Sequence, residues 1–370
     1  MSKIKILIID DSPVIRKLLA EMIATESDLD LVAQAPNGKI GLQKMTETSP
    51  DIVITDWEMP EMGGLETIEA IRKINPRIPI IVFSSLSQRG AQITLEALSR
   101  GASDYLTKPS SMGFGNVSVD TLKEQMLKKI RLFAPAYQIR NRVDLKLQPT
   151  LQSTLAIPSI SRKLTIHNRL DAVVIGSSTG GPNALATVFE SLPDQFPVPI
   201  FVVQHMPPVF TKSLAERLDK NSKLHVVEAS SGLQVEAGCA YIAPGDFHMV
   251  LQKDGVNIRI QTQQGPPENS CRPAVDVLFR SAAEIYGNRV LAVVLTGMGQ
   301  DGFKGCEVLN KKGAPIFAQD EATSVVWGMP SFIAKGGLAN LVLPLNQIAG
   351  EISQMVSFNR LAGMQTSMRS

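Results

Sequence analysis

Apolar, β-branched runs recur along this chain at intervals that leave room for a helix between them. Over the first 131 or so residues, such runs fit strands at Ile4–Ile9, Leu29–Ala33, Ile52–Thr55, Ile80–Phe83 and Tyr105–Thr107. Apolar positions at helical spacing fit helices at Val14–Ala24, Lys39–Thr46, Leu65–Ile74, Ala91–Leu98 and Thr121–Leu132. Strand and helix in alternation predict a parallel sheet with helices on both faces. From about Phe133 to Asn168 the periodicity fades into a polar, partly basic tract punctuated by Pro135, Pro149 and Pro158, which reads as a linker. The alternation then resumes. Strands fit Ala172–Ile175, Ile200–Gln204, Leu224–Glu228, Val290–Leu295 and Ala314–Ala318, and helices fit Asn183–Leu192, Thr211–Leu218, Ala274–Ile285 and Gly302–Lys311. Short β-type pieces flank the turn Asp254-Gly255. The expectation is two doubly wound α/β domains, residues 1–132 and 169–370, joined by a linker over 133–168.

Polar residues follow the strands of the first domain: Asp10 and Asp11, Asp56, Ser84 and Lys108. In an open α/β sheet the carboxyl ends of the strands border one crevice, so these scattered positions converge. Clustered carboxylates repel, and a hard divalent cation such as Mg2+ relieves the repulsion. One carboxylate can then take a phosphoryl group while the cation and Lys108 balance its charge, with Ser84 bonding a phosphoryl oxygen. Any one of these residues is ordinary at a strand end; five together point to a site. The segment resembles the response-regulator receiver family over its whole length, through Asp10-Asp11, Asp56-Trp57-Glu58-Met59-Pro60, Ser84 and Lys108-Pro109. The resemblance implies a flavodoxin-like fold and phosphorylation at Asp56. It implies Mg2+ held by Asp10, Asp11 and Asp56, and phosphate sensing by Ser84, Lys108 and the aromatic Tyr105. A cis bond before Pro109 is common in that family.

The second domain opens on Asp171-Ala172-Val173-Val174-Ile175-Gly176-Ser177-Ser178-Thr179-Gly180-Gly181. Gly176 and Gly180 flank Ser178 on a strand-to-helix turn, a setting that projects a serine hydroxyl over the sheet edge. The same spacing also suits a phosphate-cradling loop or a plain turn. Two more polar residues follow parallel-type strands, His205 and Asp301. The edge rule brings the three together as nucleophile, base and orienting acid. His248, after the turn Gly245-Asp246, is the rival base. Asp301 also suits the start of the helix at Gly302 as a cap. The chain order Ser–His–Asp differs from that of the α/β-hydrolases.

These residues, with Gln204-His205-Met206-Pro207, Tyr241-Ile242-Ala243-Pro244-Gly245-Asp246, Arg272-Pro273-Ala274-Val275-Asp276 and Leu295-Thr296-Gly297-Met298-Gly299, resemble the CheB family of bacterial chemotaxis methylesterases. With the receiver in front, the resemblance covers the chain apart from the linker. It implies a Rossmann-like hydrolase domain acting on glutamyl methyl esters, and on glutamine amides, of methyl-accepting chemoreceptors. A histidine kinase would be the phosphodonor. By position, Ser178 maps to the nucleophile, His205 to the base, Asp301 to the orienting acid, and the Met298 N–H to an oxyanion donor. Cys271 stands where a more basic residue is expected.

Composition narrows the alternatives. A net charge of +2 over 370 residues, without a basic recognition helix, speaks against nucleic-acid binding. The three cysteines, Cys239, Cys271 and Cys306, have no metal-ligand spacing and suit reduced thiols in the cytoplasm. The apolar run Ile6–Ile9 stops at Asp10, unlike a signal peptide, and no stretch suggests membrane insertion. The reading is a cytoplasmic, monomeric, phosphorylation-regulated serine hydrolase, with Mg2+ for the receiver and no cofactor for hydrolysis. The runner-up is a response regulator whose output binds a nucleotide or phosphate without catalysis.

Overall fold

The computed structural model describes residues 3–108, 118–144 and 169–367; Pro109 lies outside them. The chain divides into two compact units, Met1–Leu155 and Ala156–Ser370.

The first unit runs β1 (Ile4–Ile9), α1 (Pro13–Ala24), β2 (Leu29–Ala35), α2 (Gly38–Thr48), β3 (Ile52–Asp56), α3 (Gly64–Ile74), β4 (Ile80–Ser84), α4 (Gln88–Ser99), β5 (Asp104–Thr107) and α5 (Val119–Asp144). Its five strands are parallel in the order β2-β1-β3-β4-β5, the flavodoxin-like winding. The central strands β3 and β4 are buried throughout, which is why they read as unbroken apolar runs. Periodicity ends the last helix at Leu132, yet α5 continues through Pro135 to Asp144. Phe133 and Ala134 are buried, and Gln138 Nε2 donates to Asp51 Oδ2 at 2.8 Å. Packing on the unit thus carries the helix past a residue that lacks an N–H.

The second unit runs β6 (Ala172–Ser177), α6 (Gly181–Ser191), β7 (Ile200–Gln204), α7 (Phe210–Asn221), β8 (His225–Glu228) and β9 (Cys239–Ile242). It continues through β10 (His248–Asp254), β11 (Asn257–Gln263), α8 (Val275–Tyr286), β12 (Val290–Val294), α9 (Phe303–Lys312), β13 (Ile316–Gln319), α10 (Met329–Lys335), β14 (Leu341–Leu343) and α11 (Leu345–Ser367). Seven parallel strands lie in the order β14-β13-β12-β6-β7-β9-β8, and β10-β11 form a separate antiparallel hairpin. Both sheets are doubly wound α/β, as expected. The central β12, β6 and β7 are wholly buried, and they sit side by side. The chain leaves β6 toward β7 on one side and returns to β12 on the other. That is a topological switch point, where an open α/β sheet leaves a crevice at its carboxyl edge. No helix among the described residues is long and apolar enough to cross a membrane.

Candidate active site

In the second unit the carboxyl ends of β6, β7 and β12 deliver Ser178, His205 and Asp301. Backbone bonds hold the three ends in register: His205 N–H donates to Ser177 O at 3.1 Å, Ser178 N–H to Thr296 O at 3.1 Å, and Leu295 N–H to Gly176 O at 2.9 Å. Ser177 closes the strand and its hydroxyl donates to Gln204 Oε1 at 2.7 Å, while Gln204 Nε2 donates to Ser178 O at 2.9 Å. Gln204 therefore pins the turn from below, a role that sequence reasoning missed. The turn uses its two glycines differently. Gly180 has φ +80°, the left-handed conformation that starts α6. Gly176 has no such φ; a Cβ there would lie 2.4 Å from Val275 Cγ1, so it lets α8 approach the strand.

The Ser178 and Gly181 amides are turned inward, Ser178 to Thr296 O and Gly181 to Ser178 O at 2.8 Å. A phosphate cradle needs such amides aimed outward at the anion. The loop is built as a turn that presents a side chain.

His205 is half-buried, and its Nε2 meets Asp301 Oδ2 at 2.8 Å. Asp301 is buried and accepts four further bonds. Oδ2 also takes Val275 N–H at 2.7 Å, and Oδ1 takes Asn269 Nδ2 at 2.8 Å, Gly302 N–H at 2.9 Å and Asp276 N–H at 3.0 Å. Two of these donors are the first amides of α8, so Asp301 caps that helix rather than serving chiefly α9. Burial opposes its charge, but the His205 ring and these amides outweigh it, and its pKa lies below the ordinary carboxylate value. Burial likewise opposes charge on His205. The Asp301 and Cys271 contacts outweigh it and hold the ring's pKa up, at about 10.

Because Nε2–H donates to the Asp301 carboxylate, the lone pair of the neutral ring is on Nδ1. That nitrogen faces Cys271 Sγ at 3.5 Å. Among the described residues the structure shows no hydrogen bond between Ser178 and His205. The rival His248 is buried with both nitrogens engaged by backbone, Nε2 with Pro266 O at 2.9 Å and Nδ1 with Ala274 N–H at 3.2 Å.

The loop after β12 is fixed by Thr296, whose hydroxyl donates to Thr179 O at 3.0 Å and whose N–H donates to Gln319 Oε1 at 2.8 Å. Gly297 lies so close to Ser178 that a Cβ there would be 2.8 Å from the Ser178 Cβ. Met298 follows and is 39% exposed.

In the first unit Asp10 and Asp56 are buried and Asp11 is exposed, and ligand oxygens of the three lie within 4.8 Å of one another. Lys108 Nζ is 2.6 Å from Asp56 Oδ2 and 3.6 Å from Asp10 Oδ2. Burial raises Asp10 to about 6 against the pull of Lys108, with Asp56 and Asp11 adding repulsion. Burial also raises Asp56, opposed by Lys108. Asp10 Oδ2 is buried without a hydrogen-bond partner among the described residues. An orphaned oxygen inside three carboxylates fits a hard divalent cation. Ser84 is buried and its hydroxyl donates to Gly90 O at 3.2 Å. Tyr105, half-buried on β5, lies under Lys129 Nζ at 5.5 Å from its ring centre. Burial raises its hydroxyl pKa.

Comparison with known proteins follows this division. The CheB methylesterase family model matches residues 173–352, and the response regulator receiver domain model matches residues 6–113. The protein-glutamate methylesterase/protein-glutamine glutaminase of Trichodesmium erythraeum is 46% identical over 96% of this chain and 100% of its own length. Its namesake from a Nocardioides species is 45% identical over 97% of each chain. The solved Thermotoga maritima CheB methylesterase catalytic domain is 46% identical and covers 51% of this chain and 98% of its own, with a TM-score of 0.49. Fold and family matches together define a class, a response regulator whose output unit is a parallel-sheet α/β methylesterase domain. The chain belongs to the CheB family of protein-glutamate methylesterase/protein-glutamine glutaminases.

Proposed function

We propose that this chain is a phosphorylation-regulated serine hydrolase that removes methyl esters from glutamates, and amides from glutamines, of methyl-accepting chemoreceptors in the cytoplasm. The observation that carries the reading is the His205–Asp301 pair at 2.8 Å, delivered beside Ser178 by three adjacent strands.

Ser178 Oγ attacks the γ-carbonyl carbon of the glutamyl ester and passes its proton to His205. The accepting atom is Nδ1, since Nε2–H is held by Asp301. This uses the ring the other way round from the serine protease arrangement, in which the acid holds Nδ1. The Met298 N–H stabilises the oxyanion of the tetrahedral intermediate. The imidazolium returns its proton to the departing methanol, or to ammonia from an amide. Water, deprotonated by His205, then releases the acyl group from Ser178.

In the receiver, Asp10, Asp11 and Asp56 would hold Mg2+, which when bound offsets the charge of the phosphoryl oxygens. Asp56 accepts the phosphoryl group from a histidine kinase, and Lys108 pairs with it. Ser84 and Tyr105 respond to the phosphate. The chain acts as a monomer, and hydrolysis itself uses no metal.

The test is methanol release from methylated receptor membranes, with and without a phosphodonor. Release that rises on phosphorylation is expected. No release under either condition would leave the non-catalytic output as the better account.

A further inference from the structure

The loop between β11 and α8 is restrained along its length. Glu268 takes two bonds from the Arg280 guanidinium at 2.8 and 2.6 Å, and its backbone pairs both ways with Cys271. Asn269 Nδ2 donates to Asp276 Oδ2 at 2.9 Å as well as to Asp301. Arg272 holds Asp246 Oδ1 at 2.5 Å and Gly265 O at 2.8 Å. Between these anchors Asn269 and Ser270 adopt φ +53° and +61°, a region that side chains other than glycine enter at a cost. The strained turn places a half-buried thiol, Cys271 Sγ, 3.5 Å from His205 Nδ1. The other two thiols lie in different surroundings. Cys306 is fully buried, and burial pushes both it and Cys239 above the ordinary thiol value.

We propose that Cys271 is a modification site for peroxides, at which oxidation of the thiol switches the hydrolase off. Cys271, His205 and Asp301 form a thiol–imidazole–carboxylate relay of the kind that generates thiolates. In the neutral ring His205 Nδ1 accepts the thiol proton while Asp301 holds the other side. The thiolate sulfur attacks one peroxide oxygen, forming an S–O bond as the O–O bond breaks. Sulfur is oxidised and the peroxide reduced. The departing hydroxide takes the proton from His205 and leaves as water, and the product is a sulfenic acid. The added oxygen stands against Nδ1, the nitrogen that must deprotonate Ser178, so hydrolysis stops until a thiol reductant restores Cys271. That consequence rests on the reading of His205 as the base; the thiol chemistry does not.

The full-length protein is exposed to hydrogen peroxide. Sulfenic acid is trapped with dimedone and located by peptide mass spectrometry, and methanol release is measured before exposure, after it, and after dithiothreitol. Wild type should lose activity in step with labelling at Cys271 and regain it with dithiothreitol. Cys271→Ser and Cys271→Ala should each keep their own untreated rate. His205→Gln should label at Cys271 on the order of tenfold more slowly. Ser178→Ala should label like wild type whatever its hydrolysis, which separates failure of the thiol proposal from failure of the hydrolytic reading. Absence of label at Cys271 overturns the proposal. So does equal loss in Cys271→Ala, since another group such as the exposed Met298 thioether would then be the target, and loss that dithiothreitol leaves in place overturns the reversible switch.

Discussion

Asp301→Asn isolates what the carboxylate does for His205. In the wild type the ring's pKa is held near 10, well above the ordinary 6.5. Only the neutral ring can take the Ser178 proton, and at pH 7 a ring with that pKa is neutral about one part in a thousand. The wild-type kcat/KM should therefore climb close to tenfold per pH unit above pH 7 and level off only near pH 10. An ordinary imidazole would level off near neutrality. The substitution removes the negative charge and the acceptor for Nε2–H, so burial, which favours the neutral ring, is opposed only by the Cys271 contact. The profile of the variant should shift to lower pH. Its plateau should also fall, by something like 10^3- to 10^4-fold, because an amide can donate to Nε2 and stabilise the tautomer that carries its proton on Nδ1. The assay is methanol release from methylated receptor membranes across pH 6 to 10.5, with circular dichroism at each pH to confirm the fold. A wild-type rate that is flat above pH 7, or a variant with the wild-type midpoint, would refute the argument.

Ser178→Ala should abolish hydrolysis, a loss on the order of 10^3-fold or more, whereas Ser177→Ala should keep the chemistry and lose roughly 1 kcal/mol of stability with its bond to Gln204. An essential Ser177 with a dispensable Ser178, in the same methanol assay, would invert the assignment. Folding stability should carry the His205 shift with a defined sign. The ring's pKa is raised in the folded state, so its pairing contributes fully below about 6.5 and is lost as pH rises through about 10. The melting-temperature gap between wild type and Asp301→Asn should accordingly narrow from pH 6 to pH 10; a widening gap contradicts it. In the receiver, Asp56→Asn should block phosphate uptake from a small phosphodonor, and chelation of Mg2+ should block it in the wild type. Incorporation of labelled phosphate at an undiminished rate in either case would rule out the acidic site.

The central strands of both sheets were legible because buried parallel strands are continuous apolar runs, and the edge rule then nominated residues that follow them; the three-residue edge strand β14, only partly buried, was too short to read. That logic reaches Ser178, His205 and Asp301 without knowing any distance. It fails where a residue's role depends on a partner remote in sequence. Gly176 looks like a turn glycine, but what it accommodates is Val275, about a hundred positions on. Asp301 looks like a cap for the helix beside it, but its charge is stabilised by the first amides of α8, which precedes it in the chain. Pro135 looks like a helix end, and only the burial of Phe133 and Ala134 and the Gln138–Asp51 bond explain why α5 runs on. Cys271 is the sharpest case. Its identity was legible as a departure from the basic residue expected there, but what it touches depends on two residues at positive φ and on which ring nitrogen Asp301 claims. On the proposed mechanism, the same carboxylate that fixes the tautomer for Ser178 chemistry thereby turns the basic nitrogen toward a thiol. If His205 used Nδ1 for Asp301 instead, Nε2 would be the base, and the 3.5 Å sulfur contact at Nδ1 would be lost. The choice of ring nitrogen therefore ties the proposed hydrolytic base and the thiol contact together.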